Sequence, residues 1–505
     1  MATETIVSPG VLLQEIDKSF ITPGTDPSGL AIIGPTVRGP IELPTLIRNY
    51  NEYKNVFGTT LSSASNAYEF FTSLTVKNYF QNGGGTALVT RVVDTAANWK
   101  PASSSIIAAA SASAATTNPF TIETLGKGEI LNTVGPVYAG GGLHSGSKDN
   151  LRWEISNVNS SAGTFTVSVR RGDDTTKSPI VLEQFTNCSL DPLSPNYIAQ
   201  KIGDQSYSND GTTVTVSGEY PNKSEFIRVK DIKATYQYLA PNGAVATNTI
   251  TNDVYSQNLP TAQSGTFEGG VGNNVNAGQT FGSDATGANI QGLAVGDYTN
   301  AINILKNKEE FKFKTLVVPG LNQTDHASTI DTLIANTTER GDSLFIADLV
   351  PYNTNISSVK TQAESLDTNY AASYWPWAQV RSSELGRNVF CPASVVIPGV
   401  FAKNDSIAAP WFAPAGLTRG GITNVTKVEK KLSKTQRDDL YTSKVNPLAT
   451  FPGQGIVVFG QKTLQQAASA LDRVNVRRLL LDVKDTIGGF SRKLVFEQNT
   501  TIPCP

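Results

Sequence analysis

Histidine, cysteine and charge are all scarce in this sequence, and each scarcity excludes something. The two histidines, His144 and His326, stand far apart and outside any HxxxH or HExxH spacing, so no histidine metal site is encoded locally. Both read as surface loop residues. Three cysteines, Cys188, Cys391 and Cys504, are widely spaced and odd in number, which excludes a disulfide framework and reads as reduced thiols. Charged residues make up 17% of the chain, against about 25% in typical soluble proteins. A net charge of −2 with a pI near 5.9 leaves no global basic surface for neutralising nucleic-acid phosphates. No apolar run approaches the roughly 20 residues of a membrane helix. The opening MATETIVSPG lacks the basic and apolar regions of a Sec signal, so the protein is expected to remain in the cytosol or to leave it without a peptide signal.

What fills the gap is small and polar: Ser, Thr, Asn and Gly, a composition suited to β-rich surfaces and long loops. At 505 residues the chain exceeds one ordinary core, and about three domains is the prior. Residues 1–22 carry an apolar strand, Val11, Leu12, Leu13, Gln14, Glu15 and Ile16, isolated between Pro9-Gly10 and Pro23-Gly24. With no hairpin partner nearby, it must pair with something distant, in this chain or another. Residues 23–94 have an α/β rhythm. Leu30 to Gly34 and Ala87 to Val93 read as strands, Asn49 to Phe57 as a helical turn, and Ala67, Phe70, Phe71, Leu74, Val76 and Phe80 as a core-facing helix. Residues 95–299 switch to short alternating strands with Gly, Asn and Asp turns, an inserted β-rich region closed by a polar loop over 258–296. From 300 to 505 the α/β rhythm returns. Strands are expected at 316–320 and 343–348 and helices at 328–340, 355–366 and 435–440. The fold class expected is therefore α+β multidomain, an α/β core built from both chain ends with a β-rich protrusion inserted.

The densest local signal is residues 451–499. Ile456 to Phe459 reads as a buried strand and Asn475 as a helix N-cap. Val476, Leu479, Leu480, Val483, Ile487 and Phe490 then form one helical stripe. Facing that stripe to a sheet would turn Arg473, Arg477 and Arg478 outward, with Arg478 one turn from Asp482.

Motifs for chemistry fail on detail. GGLHSGSK at 141–148 has Ser147-Lys148 where a phosphate loop needs Lys then Ser or Thr, and no buried strand precedes it. Arg171-Gly172-Asp173-Asp174 is an ordinary turn between strands. No GxSxG, Cys/His pair or compact acid cluster stands out, so no catalytic, cofactor or metal residues are assigned.

Several stretches together resemble the contractile tail sheath proteins of bacteriophages. These are Ser8-Pro9-Gly10-Val11 with Gln14-Glu15, the run from Ala31 to Pro40, Gly83 to Val93, Pro410-Trp411 with Ala413-Pro414-Ala415-Gly416, Arg437 to Tyr441 with Val445-Asn446-Pro447, and above all Leu471 to Leu479 (LDRVNVRRL) with Phe496-Glu497-Gln498-Asn499. The resemblance implies a non-enzymatic, virion-tail protein assembled in the host bacterial cytoplasm. Its subunits would stack as six-fold rings in a helical tube around a tail tube protein, meeting baseplate and tail terminator proteins, without cofactor, direct nucleic-acid contact or membrane insertion. Contraction would drive the tube through the host envelope for genome ejection. The segment Val11 to Ile16 would be an arm adding to a neighbour's sheet, and Arg473, Arg477 and Arg478 a candidate contact surface. Such proteins continue past the segment like Phe496 to Asn499, so the ending here is expected to lack the C-terminal arm. Two other readings are a bacteriocin-like or extracellular injection-system sheath and, in a different class, a β-rich receptor-binding tail adhesin.

Overall fold

Two apolar runs from opposite halves of the chain lie side by side and found the core. Strand β1 (Ser28–Pro35) pairs in parallel with a strand from far along the chain, Phe313–Asn322, with Ala31 opposite Leu316 and Ile32 opposite Val317. The structure, a computed structural model, describes residues 28–63, 66–108, 118–132, 148–175, 177–211, 213–246, 259–272, 290–492 and 495–496. The expected arm strand at Val11 to Ile16, His144 and Cys504 lie outside the described residues.

Eight strands make the core sheet. In chain order they are β1, β2 (Thr45–Ile47), β3 (Ala87–Val92), β4 (Phe313–Asn322), β5 (Leu344–Asp348), β6 (Ala371–Trp375), β7 (Val445–Phe451) and β8 (Gly455–Val458). Their spatial order is β2-β3-β1-β4-β5-β6-β7-β8. The six inner strands are mutually parallel, and β2 and β8 close the two ends in antiparallel pairing. The fold is thus mixed α+β: a central mixed sheet takes strands from both chain ends, and separate antiparallel sheets lie between.

Alternation along a strand sends neighbouring side chains to opposite faces, and both faces of this sheet are covered, as a parallel sheet requires. Leu30 and Ile32 join Val89, Val317 and Ile346 on one side, under helices α1 (Phe71–Gln81) and α3 (Ile397–Ile407). Ala31 and Ile33 join Leu88, Leu316 and Phe345 on the other, under α2 (Gln323–Arg340). Phe71 and Ile330 are completely buried, each contributing about 1.5–3 kcal/mol relative to exposure. Helix α2 starts where the Asn322 side chain accepts the Asp325 N–H at 2.9 Å and stops at Gly341, whose φ of 69° is the left-handed turn that glycine allows.

The chain between β3 and β4 has a hydrophobic cluster of its own. Strands Leu151–Asn159, Thr164–Arg171 and Val181–Ser189 form an antiparallel sheet with Gln263–Thr266, around Trp153, Ile155, Phe165, Val167 and Val169. Gln263–Thr266 falls inside the stretch expected to be loop. Arg170 and Arg152 converge there on buried Asp174, at 2.6 and 3.1 Å, so the expected Gly-Asp turn also anchors a buried ion cluster.

Several expectations are corrected. Ala67 lies on the strand Asn66–Glu69, and α1 begins only at Phe71 because Phe70 is extended, with φ −70° and ψ 150°. His326 lies at a kink near the start of α2, its own backbone non-helical at φ −134° and ψ 38°, and is 5% exposed with its Nδ1 accepting the Asn322 N–H at 3.2 Å, so it is a packed residue and not a surface one. Cys188 and Cys391 are free and buried, and burial pushes the Cys188 thiol up to about 12.

Candidate assembly surfaces

Doubly wound sheets hold ligands where the strand order reverses, outside the carboxyl ends of the strands. Here the order reverses between β1 and β4, so that crevice is the first place to look for chemistry. It is packed shut. Phe71, completely buried, donates its N–H to Gln291 Oε1 at 2.8 Å, and Gln291 is 1% exposed. A Cβ at Gly320, whose φ is +108°, would press on Ile290 and the Gln291 amide, and one at Gly34 would strike the Thr72 hydroxyl. Beside it, at the end of β5, buried Asp348 accepts from Ser394 Oγ at 2.5 Å and from the Ser394 N–H at 3.2 Å. Burial pushes its pKa up to about 7 against these hydrogen bonds. Among the described residues no three His, Cys, Asp or Glu side chains converge as metal ligands, and no described helix is long and apolar enough to cross a membrane.

Two surface features stand out instead, one on a helix and one at the edge of the sheet. Helix α4 (Val474–Ser491) is turned the opposite way to the sequence expectation. Its inward residues are Val474, Arg477, Arg478 and Leu481, at 0, 3, 7 and 4% exposure, while Leu479, Val483 and Ile487 are 36, 39 and 58% exposed. The reason is a set of aromatic seats. The Arg477 guanidinium lies 3.6 Å from the Tyr370 ring centroid, and that of Arg478 lies 4.6 Å from Phe401 while pairing with Asp405 at 2.5 Å. Burial lowers the Arg477 pKa. A planar, weakly hydrated guanidinium stacks where an ammonium would not. Asp482 pairs with Lys314, and Asp485 with Lys312 at 3.7 Å, so the expected Arg478–Asp482 pair does not form.

Asn475 is also reassigned. The helix begins at Val474, and the Asn475 amide donates to the Trp411 carbonyl at 3.3 Å instead of capping. Of the three arginines proposed as a surface, only Arg473 remains open, its side chain 41% exposed beside Asp472 and donating to the Tyr441 hydroxyl. What α4 shows outward is an apolar stripe at i, i+4 and i+8, one face of three turns. The strand before it, β8, is an edge strand, and Phe459 just beyond it is 44% exposed.

The opposite edge of the sheet meets the intervening segment across two buried arginines. Arg38 donates to the Asp149 carbonyl at 2.6 Å and the Asn55 carbonyl at 2.7 Å. Arg91, on β3 and completely buried, donates to the carbonyls of Gly39 at 2.7 Å and Lys127 at 3.1 Å, with its guanidinium 5.1 Å from the Trp99 ring. Burial without a carboxylate partner pushes the Arg91 pKa down to about 9. These contacts tie core to insert around a groove of about 630 Å³ beside the edge strand β2.

Comparison with known proteins gives this geometry a setting. Residues 291–464, which run from the Gln291 plug through β8, match the phage tail sheath protein central domain. Over this stretch the chain is similar to phage tail sheath proteins. The tail sheath protein of Vibrio phage KVP40 is 37% identical over 142 residues, covering 28% of this chain and 20% of the relative. That of Salmonella phage ViI is 30% identical over 207 residues, covering 39% and 32%. The chain thus spans between about a fifth and a third of the curated sheath relatives it matches. In fold it is similar to the sheath tail protein of Listeria innocua, at 10% identity and a TM-score of 0.51, over 93% of this chain and 79% of that one.

Proposed function

We propose that this chain is a force-generating subunit of a contractile phage tail sheath. Copies stack as six-fold rings into a helical tube around the tail tube, contact baseplate and terminator proteins, and contract to drive the tube through the host envelope. The observation that carries the reading is the sheath central-domain match at 291–464, lying on a sheet whose ligand crevice is closed and beside a helix with an unpartnered apolar stripe. Contraction is then a rigid-body rearrangement of subunits, which suits a core tied to its insert through Arg38 and Arg91.

Neighbour contacts are assigned to three places. The segment Val11 to Ile16 pairs with a neighbouring sheet, Arg473 offers an accessible cation, and Leu479, Val483 and Ile487 offer apolar area. Arg477 and Arg478 serve by holding α4 in place. The test is immunogold labelling of purified contractile-tailed particles with antibody against this chain. Label repeating along the whole tail is expected. Label confined to the tail tip would overturn the reading in favour of an adhesin.

A further inference from the structure

The groove beside β2 combines an apolar lining with a pair of acids that no cation offsets. The lining is shared: Leu43, Leu46 and Val56 come from the core, Leu125 and Tyr207 from the insert. A cleft of about 630 Å³ lies inside the roughly 300–1,000 Å³ range of small-molecule sites, which favour boundaries between modules. Its charges do not cancel. Glu52, Glu123 and Glu225 line it together with Lys127 and Arg228. Arg228 pairs with Glu123, and Lys127 faces the Glu42 carboxylate, which leaves Glu52 and Glu225 uncompensated.

Glu225 registers the imbalance. Burial raises its carboxyl above the ordinary carboxylate range and the Glu52 charge raises it further, against a hydrogen bond from Asn55. Glu183 accepts the Ser224 Oγ at 2.5 Å and the Glu225 N–H at 2.8 Å, and burial holds its carboxyl up too, with the Glu225 charge adding to the effect. Among the described residues none of Glu52, Glu183 and Glu225 is in an ion pair. Carboxylates gathered without a cation oppose one another's ionisation, and a cation entering the groove relieves them. An anion is repelled there, and a bare inorganic cation gains nothing from the apolar lining.

We infer that the groove is a binding site for a small organic cation, an ammonium head carrying one apolar arm, with the head between Glu52 and Glu225 and the arm along Leu46, Val56, Leu125 and Tyr207. The three N–H donors of an ammonium are enough to serve both carboxylates. Each methylene of the arm that becomes fully buried adds about fourfold in affinity. Because the lining comes from both modules, occupancy joins the insert to the core, and this holds independently of the sheath reading.

The test is a calorimetric titration of the full chain at about pH 7 with hexylammonium, hexan-1-ol and hexanoate. Hexylammonium is expected to saturate one site, with hexanol about tenfold weaker or worse and hexanoate not binding. Butylammonium should bind up to about fifteenfold more weakly than hexylammonium. Glu225→Gln should weaken hexylammonium about three- to tenfold. Glu225 is exposed, and an unchanged melting temperature checks that this variant keeps its fold. Tyr207→Ala should weaken hexylammonium through the apolar arm and reduce its advantage over butylammonium. Absence of saturable binding, equal binding of hexanoate, or an affinity indifferent to both variants overturns the site. Binding of an end-blocked Leu-Lys-Leu tripeptide without binding of hexylammonium overturns the small-ligand assignment in favour of a protein neighbour.

Discussion

Replacing Arg477 by Ala and, separately, Ile487 by Ser reads out which face of α4 is inside. Arg477 is 3% exposed and stacks 3.6 Å from the Tyr370 ring centroid. Its removal forfeits a desolvated cation–π contact of about 2 kcal/mol and leaves a void under the helix. The expected loss is about 2–4 kcal/mol. Ile487 is already 58% exposed, so at most about two-fifths of its roughly 1.5–3 kcal/mol burial term is present. Its replacement should cost about 1 kcal/mol, partly through the lower helix propensity of Ser. Urea denaturation followed by Trp fluorescence, with the slope unchanged between variants, gives both numbers. The conventional amphipathic assignment, charge outward, predicts the reverse order. A neutral Arg477→Ala with a costly Ile487→Ser would refute the burial argument for this helix.

Three further outcomes follow from the core. Gly34→Ala should destabilise by about 1–3 kcal/mol through its clash with the Thr72 hydroxyl, and adding Thr72→Ala should recover most of the loss; lack of recovery in chemical denaturation would place the strain elsewhere. Arg91→Ala should cost about 3 kcal/mol by orphaning the Gly39 and Lys127 carbonyls and should speed protease cleavage near Lys127, which an unchanged digestion pattern would contradict. Asp348 has a folded pKa of about 7, raised by burial above the ordinary carboxylate range. Its protonated form is therefore favoured by folding, and its contribution is fully present below about pH 4 and lost as pH rises through about 7. Asp348→Asn should raise stability more at pH 7.5 than at pH 4.5; an equal change at both would remove Asp348 from the pH profile.

Local features were readable wherever one segment specifies itself. Leu30 to Gly34 forms a strand because its apolar residues must fill both faces of a parallel sheet, and Asn355 caps its helix by accepting the Ser358 N–H at 2.9 Å. Strand β6, with the sequence AASYW, shows no alternation and is extended only because β5 and β7 flank it. Residues 397–399, Ile-Pro-Gly, begin a helix whose first turn tolerates proline. For α4, periodicity reveals that a stripe exists and leaves open which side faces in. The deciding residues, Tyr370 and Phe401, are far along the chain, and their flat faces make two arginines the better inward residues. The groove was illegible for a related reason: its walls come from β2, from Val56 and from two parts of the insert, brought together only by the fold.

The central claim is that this chain works as a polymerising sheath subunit with α4 at a subunit boundary. A cryo-electron microscopy reconstruction of the tail that carries it tests this most directly. The account predicts six-fold helical density in which the core sheet docks and a neighbouring subunit covers Leu479, Val483 and Ile487. Density placing the chain only at the tail tip, or leaving that stripe facing solvent in every subunit, would contradict it.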